Sequence, residues 1–178
     1  KLPKLYDDKY EDLLKLKWVP GIRGKSGIPL VLNLYYNLPF WHSFFTNLGY
    51  EVILSDRSSK ALYSLGQHTI PSDTICYPAK LVHGHIQSLI DKGLQTIFYP
   101  CMTYNVNEDM GDNHFNCPVV AYYPEVVEGN MNLEHVKFLY PYVYLEDKRI
   151  FDQKMFEYFK AQQMDIPFKD VQAASNHA

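Results

Sequence analysis

Short apolar runs alternate along this chain with helix-length amphipathic stretches, and proline or glycine stands at most of the junctions. That alternation is the strongest constraint on the fold, because strands that feed helices and then further strands build a parallel sheet with helices packed on it. The first run, Ile28 to Tyr36, is apolar almost without interruption and predicts a strand buried on both faces. Pro39 and Gly49 bracket a predicted helix over 39–48, where Phe40, Phe44, Phe45 and Leu48 recur at helical spacing. Residues 50–54 predict a second strand, Ser58 or Ser59 caps a helix through Leu65, and a longer helix over 79–92 ends at Gly93. The strand 94–99 runs straight into Pro100-Cys101. After a polar loop over 102–116 that includes Asn105, the stretch 117–123 reads as extended, and helices follow over 132–139 and 147–162. The expected fold is α/β, a small parallel, Rossmann-like sheet of about four strands flanked by helices. Residues 1–24 read as a lead-in with a short amphipathic helix around Tyr10, Leu13, Leu14 and Leu16, 25–165 as one domain, and 166–178 as a frayed tail.

Composition narrows the class. The chain has 178 residues, a length that suits one core. A formal net charge of −3 argues against a nucleic-acid module, which carries a basic surplus. No apolar run approaches membrane-spanning length and no export signal opens the chain, so a cytoplasmic protein is expected, without a membrane partner. The start at Lys1 suggests a piece of a larger protein. Gly24-Lys25-Ser26 resembles the end of a phosphate-binding loop, but Val19 stands where the motif needs glycine and a β-rich run follows where it needs a helix.

Three cysteines, Cys76, Cys101 and Cys117, hold the chemical interest. An odd number without an export signal argues against a disulfide framework. Each lies next to or two residues before a proline, which stiffens its loop: Cys76-Tyr77-Pro78, Pro100-Cys101 and Cys117-Pro118. Cys101 sits at the carboxyl end of a predicted strand, where ligands gather in open parallel sheets. Cys76 enters a predicted helix, whose positive end favours a thiolate. Three thiolates on converging loops suit an iron–sulfur cluster or zinc, yet no CxxC pair is present, and scattered packing cysteines remain the simpler alternative. His114, three residues before Cys117, could complete a Cys3His zinc site. His83 and His85 point to different faces of one helix and read as structural, while His42 reads as a surface or boundary residue. Arg57 and Lys80 could meet an anion near the strand ends, and Glu125 could act in a site, but no pair of catalytic carboxylates is evident.

Several stretches carry a family resemblance: Gly27 to Asn33, Pro39-Phe40-Trp41, Leu48 to Val52, Ile75 to His85, Phe98 to Cys101, and Asn116 to Glu125. Over about residues 25–128 the chain resembles the domain of unknown function found in large CoA-substrate-specific enzyme activases, relatives of the activators of 2-hydroxyacyl-CoA dehydratases. That domain is similar to the cluster-bearing dehydratase subunits and to double-cubane cluster proteins of anaerobes. The resemblance implies that Cys76, Cys101 and Cys117 ligate an oxygen-sensitive [4Fe–4S] or larger cluster that material purified in air would lack. It implies electron transfer driven by an ATPase module of the parent activase, with no catalysis by the fragment alone. Partners would be the other domains of that protein and, as a further expectation, a second copy of the chain. The alternatives are a metal-free docking domain, suggested by an aromatic content of 15%, and a structural zinc site.

Overall fold

A computed structural model describes residues 4–104, 107, 109 and 111–178; Asn105 of the expected polar loop lies outside the described residues. The chain forms α1 (Leu5–Leu14), β1 (Lys25–Ile28), α2 (Leu38–Asn47), β2 (Glu51–Leu54), α3 (Lys60–Gly66), α4 (Tyr77–Asp91), β3 (Thr96–Phe98) and β4 (Cys101–Met102). It continues with α5 (Pro118–Asn130), β5 (Lys137–Leu139), β6 (Tyr142–Val143), α6 (Lys148–Ala161) and α7 (Phe168–His177). The fold is α/β, with a four-stranded sheet in the order β2-β1-β3-β5 and every neighbouring pair parallel. Trp41 and Phe45 of α2 pack on Phe98 from one face, each with ring centroids 4.7 Å from it. Gly27 is narrow enough for Leu89 of α4 to close the other face beside Ile97.

The order places a topological switch between β1 and β3, because the chain leaves β1 for one edge and later returns to its other side. In open parallel sheets such a switch point is where ligands bind, outside the carboxyl ends of the strands. Prolines shape this end. Pro100 and Pro141 lack the N–H that a continuous ladder needs, so β3 and β5 stop at Phe98 and Leu139. Tyr99 N–H donates to the Leu139 carbonyl (2.8 Å) and Cys101 N–H to that of Pro141 (2.9 Å), which carries the pairing on into β4 and β6.

Four expectations are corrected. The apolar run 28–36 is a strand only up to Ile28; Leu32 turns the chain at φ 52° and residues 32–35 form a short 3-10 turn. Leu30, Val31 and Leu34 are buried all the same, and burial without a ladder gives the same continuous apolar pattern as a central strand. Residues 117–123 are not extended but open α5, with Pro118 in its first turn and Ala121, Tyr123 and Val127 inward. The β-branched Val119 and Val120 misdirect the local propensity there, and packing overrides it. Where a helix over 132–139 was expected, Glu134 N–H is held by Asn132 Oδ1 (3.2 Å) and the chain then enters β5. The tail is also ordered: α7 buries Val171 and Ala174, Arg23 pairs with Asp170 at 3.2 Å, and Ser43 Oγ donates to the His177 carbonyl (2.7 Å).

A candidate cysteine site at the carboxyl ends of the strands

Cys76 and Cys117 occupy equivalent positions. Each is the residue immediately before a helix, α4 or α5, with φ and ψ of −62° and 152° for Cys76 and −63° and 154° for Cys117. Pro78 and Pro118 lie in the first turns, where the missing N–H costs no helical hydrogen bond. Neither thiol caps its helix, so both sulfurs are uncommitted, exposed, and set beside the positive end of a helix dipole. Cys101 differs, being fully buried as the first residue of β4.

Tyr99 lies two residues before Cys101. It is fully buried, and its hydroxyl has no hydrogen-bond partner. Burial holds its phenol well above the usual range, and negative charge on Cys101, Tyr123, Cys117 and Cys76 pushes it further the same way. All three sulfurs therefore lie within electrostatic reach of one buried phenol. Tyr123, on α5, is pushed up to about 12 by burial and then by Cys76. Burial likewise pushes the Cys101 thiol up to about 12; a hydrogen bond with Tyr142 opposes this and the Glu125 charge adds to it. Tyr142 in turn donates its hydroxyl proton to Glu125. Unliganded Cys101 is therefore a neutral thiol at pH 7, and only a strong cation such as a metal would draw out its proton.

The two histidines of α4 serve the scaffold. Thr69 Oγ1 donates to the Gly66 carbonyl (2.8 Å), so it accepts from His83 Nδ1 (2.7 Å), and His83 Nε2 accepts from the Tyr123 hydroxyl (2.9 Å). His85 bridges Ser55 (2.7 Å) and Ser58 (2.9 Å), and Ser55 Oγ accepts from Leu30 N–H (2.8 Å). Burial lowers both imidazoles to about 4, with His68 assisting at His83; at His85 the Asp56 charge opposes the shift and Lys92 adds to it. In the unfolded chain each would titrate near 6.5. Protons therefore bind the unfolded state preferentially between pH 6.5 and 4. The stability is complete above pH 6.5 and falls as pH drops, by about 3 kcal/mol per histidine once pH 4 is reached. Urea midpoints measured at pH 7.5, 5.5 and 4.5 should decline in that order; a flat series would mean that both rings are solvated.

Other residues singled out in the sequence do not converge. Arg57 pairs with Asp7 and lies over the Tyr10 ring, while Lys80 Nζ donates to the Asp73 carbonyl (2.8 Å). His114 lies tilted against Tyr104, with ring centroids 5.8 Å apart. Among the described residues no three His, Cys, Asp or Glu side chains are close enough to share a single metal ion, so the Cys3His zinc arrangement is not assembled. Tyr99 and Tyr142 have no role in the reading of the residues, and Tyr123, there one of the aromatics of a docking face, is buried instead. The signal for Tyr99 was a tyrosine in an apolar strand directly before Pro-Cys, where a buried hydroxyl has to find a use.

An apolar groove of about 340 Å³ runs beside the two exposed cysteines, lined by Ile75, Pro118, Val119, Tyr122, Tyr123 and others. Among the described residues no helix is long and apolar enough to cross a membrane. No curated protein and no solved structure matches the chain. A family model, the CoA enzyme activase uncharacterised domain (DUF2229), matches residues 25–178. That span takes in β1 through α7 and all three cysteines, and the chain belongs to this CoA enzyme activase domain family.

Proposed function

We propose that this chain is an iron–sulfur-cluster-binding electron-transfer domain of a larger ATP-dependent activase of the 2-hydroxyacyl-CoA dehydratase type, with Cys76, Cys101 and Cys117 as ligands. The observation that supports the reading is the placement of the three cysteines: Cys76 and Cys117 each stand immediately before a helix with matching backbone geometry, and Cys101 opens β4 directly beyond the carboxyl end of β3. The donor set fits the group. Three thiolates are cluster ligands by type, and a cluster brings its own iron and sulfide, so its cysteines need not crowd around one ion. Cys76, Cys101 and Cys117 would hold the cluster, and the group would supply one-electron transfer at low potential.

The chain's own residues do the rest. The first turns of α4 and α5 offset negative charge at Cys76 and Cys117. Burial of Cys101 lowers the local polarity, and the Tyr142–Glu125 hydrogen bond fixes the side chains beside its sulfur. In this reading, electrons come from an ATPase module of the parent protein. The rim bears exposed aromatics, among them Tyr77, Phe115, Tyr122 and Tyr142, which favour a covering domain or second copy over this face.

Iron, sulfide and zinc content after anaerobic purification and reconstitution is the test. About four iron and four sulfide per chain, the cubane stoichiometry, is the expected result. One zinc without sulfide would replace this reading with a structural zinc site. No iron, under conditions that load a control protein, would leave a metal-free docking domain.

A further inference from the structure

Tyr99 lies two residues before Cys101, Tyr142 is its register partner in β6, and Tyr123 is on the helix that Cys117 precedes; their hydroxyl protons are not equally committed. Tyr123 donates to His83 Nε2, and Tyr142 donates to Glu125. Tyr99 donates to nothing, although its side chain is fully buried. Leaving a buried hydroxyl unpaired is unfavourable, and native structures rarely keep one without a role. The residue is also aimed at the site by its strand. Side chains alternate along β3, so Tyr99 shares the face of Ile97, the face closed by α4, while Phe98 points to α2. That face is the one from whose helices Cys76 and Cys117 arise, and Cys101 is two residues further along the same strand direction.

We propose that Tyr99 is a positioning and tuning residue for the bound cluster, donating its hydroxyl proton as a hydrogen bond to a cluster sulfide or ligating thiolate and so raising the reduction potential. The inference rests on the cluster-binding reading above. Its sign is physical. Reduction adds negative charge to the sulfurs, a hydrogen-bond donor stabilises the more negative state, and the reduced form is therefore favoured by the donor. No proton leaves Tyr99 in this role. The donor remains a neutral phenol in both redox states.

The test compares the wild-type chain with Tyr99→Phe, which keeps the ring and removes the hydroxyl. Both are reconstituted anaerobically, assayed for iron and sulfide, and titrated against potential by electron paramagnetic resonance. The variant is expected to load iron as the wild type does. At a fixed potential its reduced-to-oxidised ratio should fall roughly tenfold, equivalent to about 59 mV for a one-electron couple. Without metal it should unfold at the same urea concentration as the wild type or higher, since an unpaired buried hydroxyl has been removed. An unchanged potential in the loaded variant overturns the inference, and so does a destabilised metal-free variant, which would show the hydroxyl paired within the protein. A second measurement needs only the wild type: the reduced cluster should show a strongly coupled exchangeable proton by pulsed resonance, and its absence would also overturn the inference. A wild type that takes up no iron and sulfide would instead remove the cluster-binding reading, and this inference with it.

Discussion

Alanine in place of Cys76, Cys101 or Cys117 is expected to leave the chain with little or no cluster, in contrast to about four iron and four sulfide bound by the wild type. The three substitutions differ in what else they disturb, and that difference makes the result interpretable. Cys76 and Cys117 are exposed and cap nothing, so the metal-free variants should unfold within about 0.5 kcal/mol of the wild type. Iron loss in either would then report ligation alone. Cys101 is fully buried, and its removal opens a small void worth about 1 kcal/mol, too little to unfold a domain of this size. His114→Ala belongs in the same series as a control and should bind iron like the wild type. Metal analysis of the four variants decides the matter: full iron in all three cysteine variants would sink the ligand assignment, and loss in His114→Ala would return the histidine to the site.

Gly84→Ala should destabilise the fold by about 3 kcal/mol or more, because α3 and α4 touch backbone to backbone at this residue. A Cβ on Gly84 would lie 2.1 Å from the Leu62 carbonyl oxygen, and one on Gly66 would lie 2.3 Å from the backbone of His83. Neither obstacle is the free end of a side chain, so the helices themselves must separate. Separation would also stretch the links from His83 to Thr69 and from His85 to Ser58, leaving buried imidazoles unpaired. For a chain of this length the loss corresponds to roughly 10 °C in melting temperature. Gly129→Ala is the matched control, since a Cβ there meets nothing within 4 Å and the residue lies in α5. That substitution should be neutral or slightly stabilising. Thermal melts of the two variants side by side test the packing, and a Gly84→Ala chain melting with the wild type would show that α3 and α4 stand further apart. Because α4 carries Cys76 at its start, the same variant should also weaken cluster retention in a partly loaded sample.

The elements that could be read from the residues are those whose signal is local. Pro39 and Gly49 mark the ends of α2, Ser59 accepts from Leu62 N–H as a helix cap does, and Gly93 follows α4. Two of the errors share one cause. Ile28–Tyr36 and Cys117–Tyr123 are apolar or β-branched stretches too short for periodicity to separate a strand from a buried turn or a helix. In α7 only Val171 and Ala174 are fully buried, a stripe too narrow to stand out in the sequence, and the helix is held by partners as distant as Arg23 and Ser43.

The candidate site divides the same way. Three cysteines beside prolines are a property of the sequence, and so is the alternation that demands a parallel sheet. Where they sit is not, because it depends on the fold: Cys76 and Cys117 stand at the starts of α4 and α5, and Cys101 lies just past the end of β3 in the sheet ordered β2-β1-β3-β5. The burial of Cys101 and the pairing of Tyr123 and Tyr142 belong to that same level, as does the solitude of the Tyr99 hydroxyl. A side chain's chemistry is written in its own residue, but its solvent exposure and its partners come from segments far away in the chain, and only the folded sheet brings those segments together.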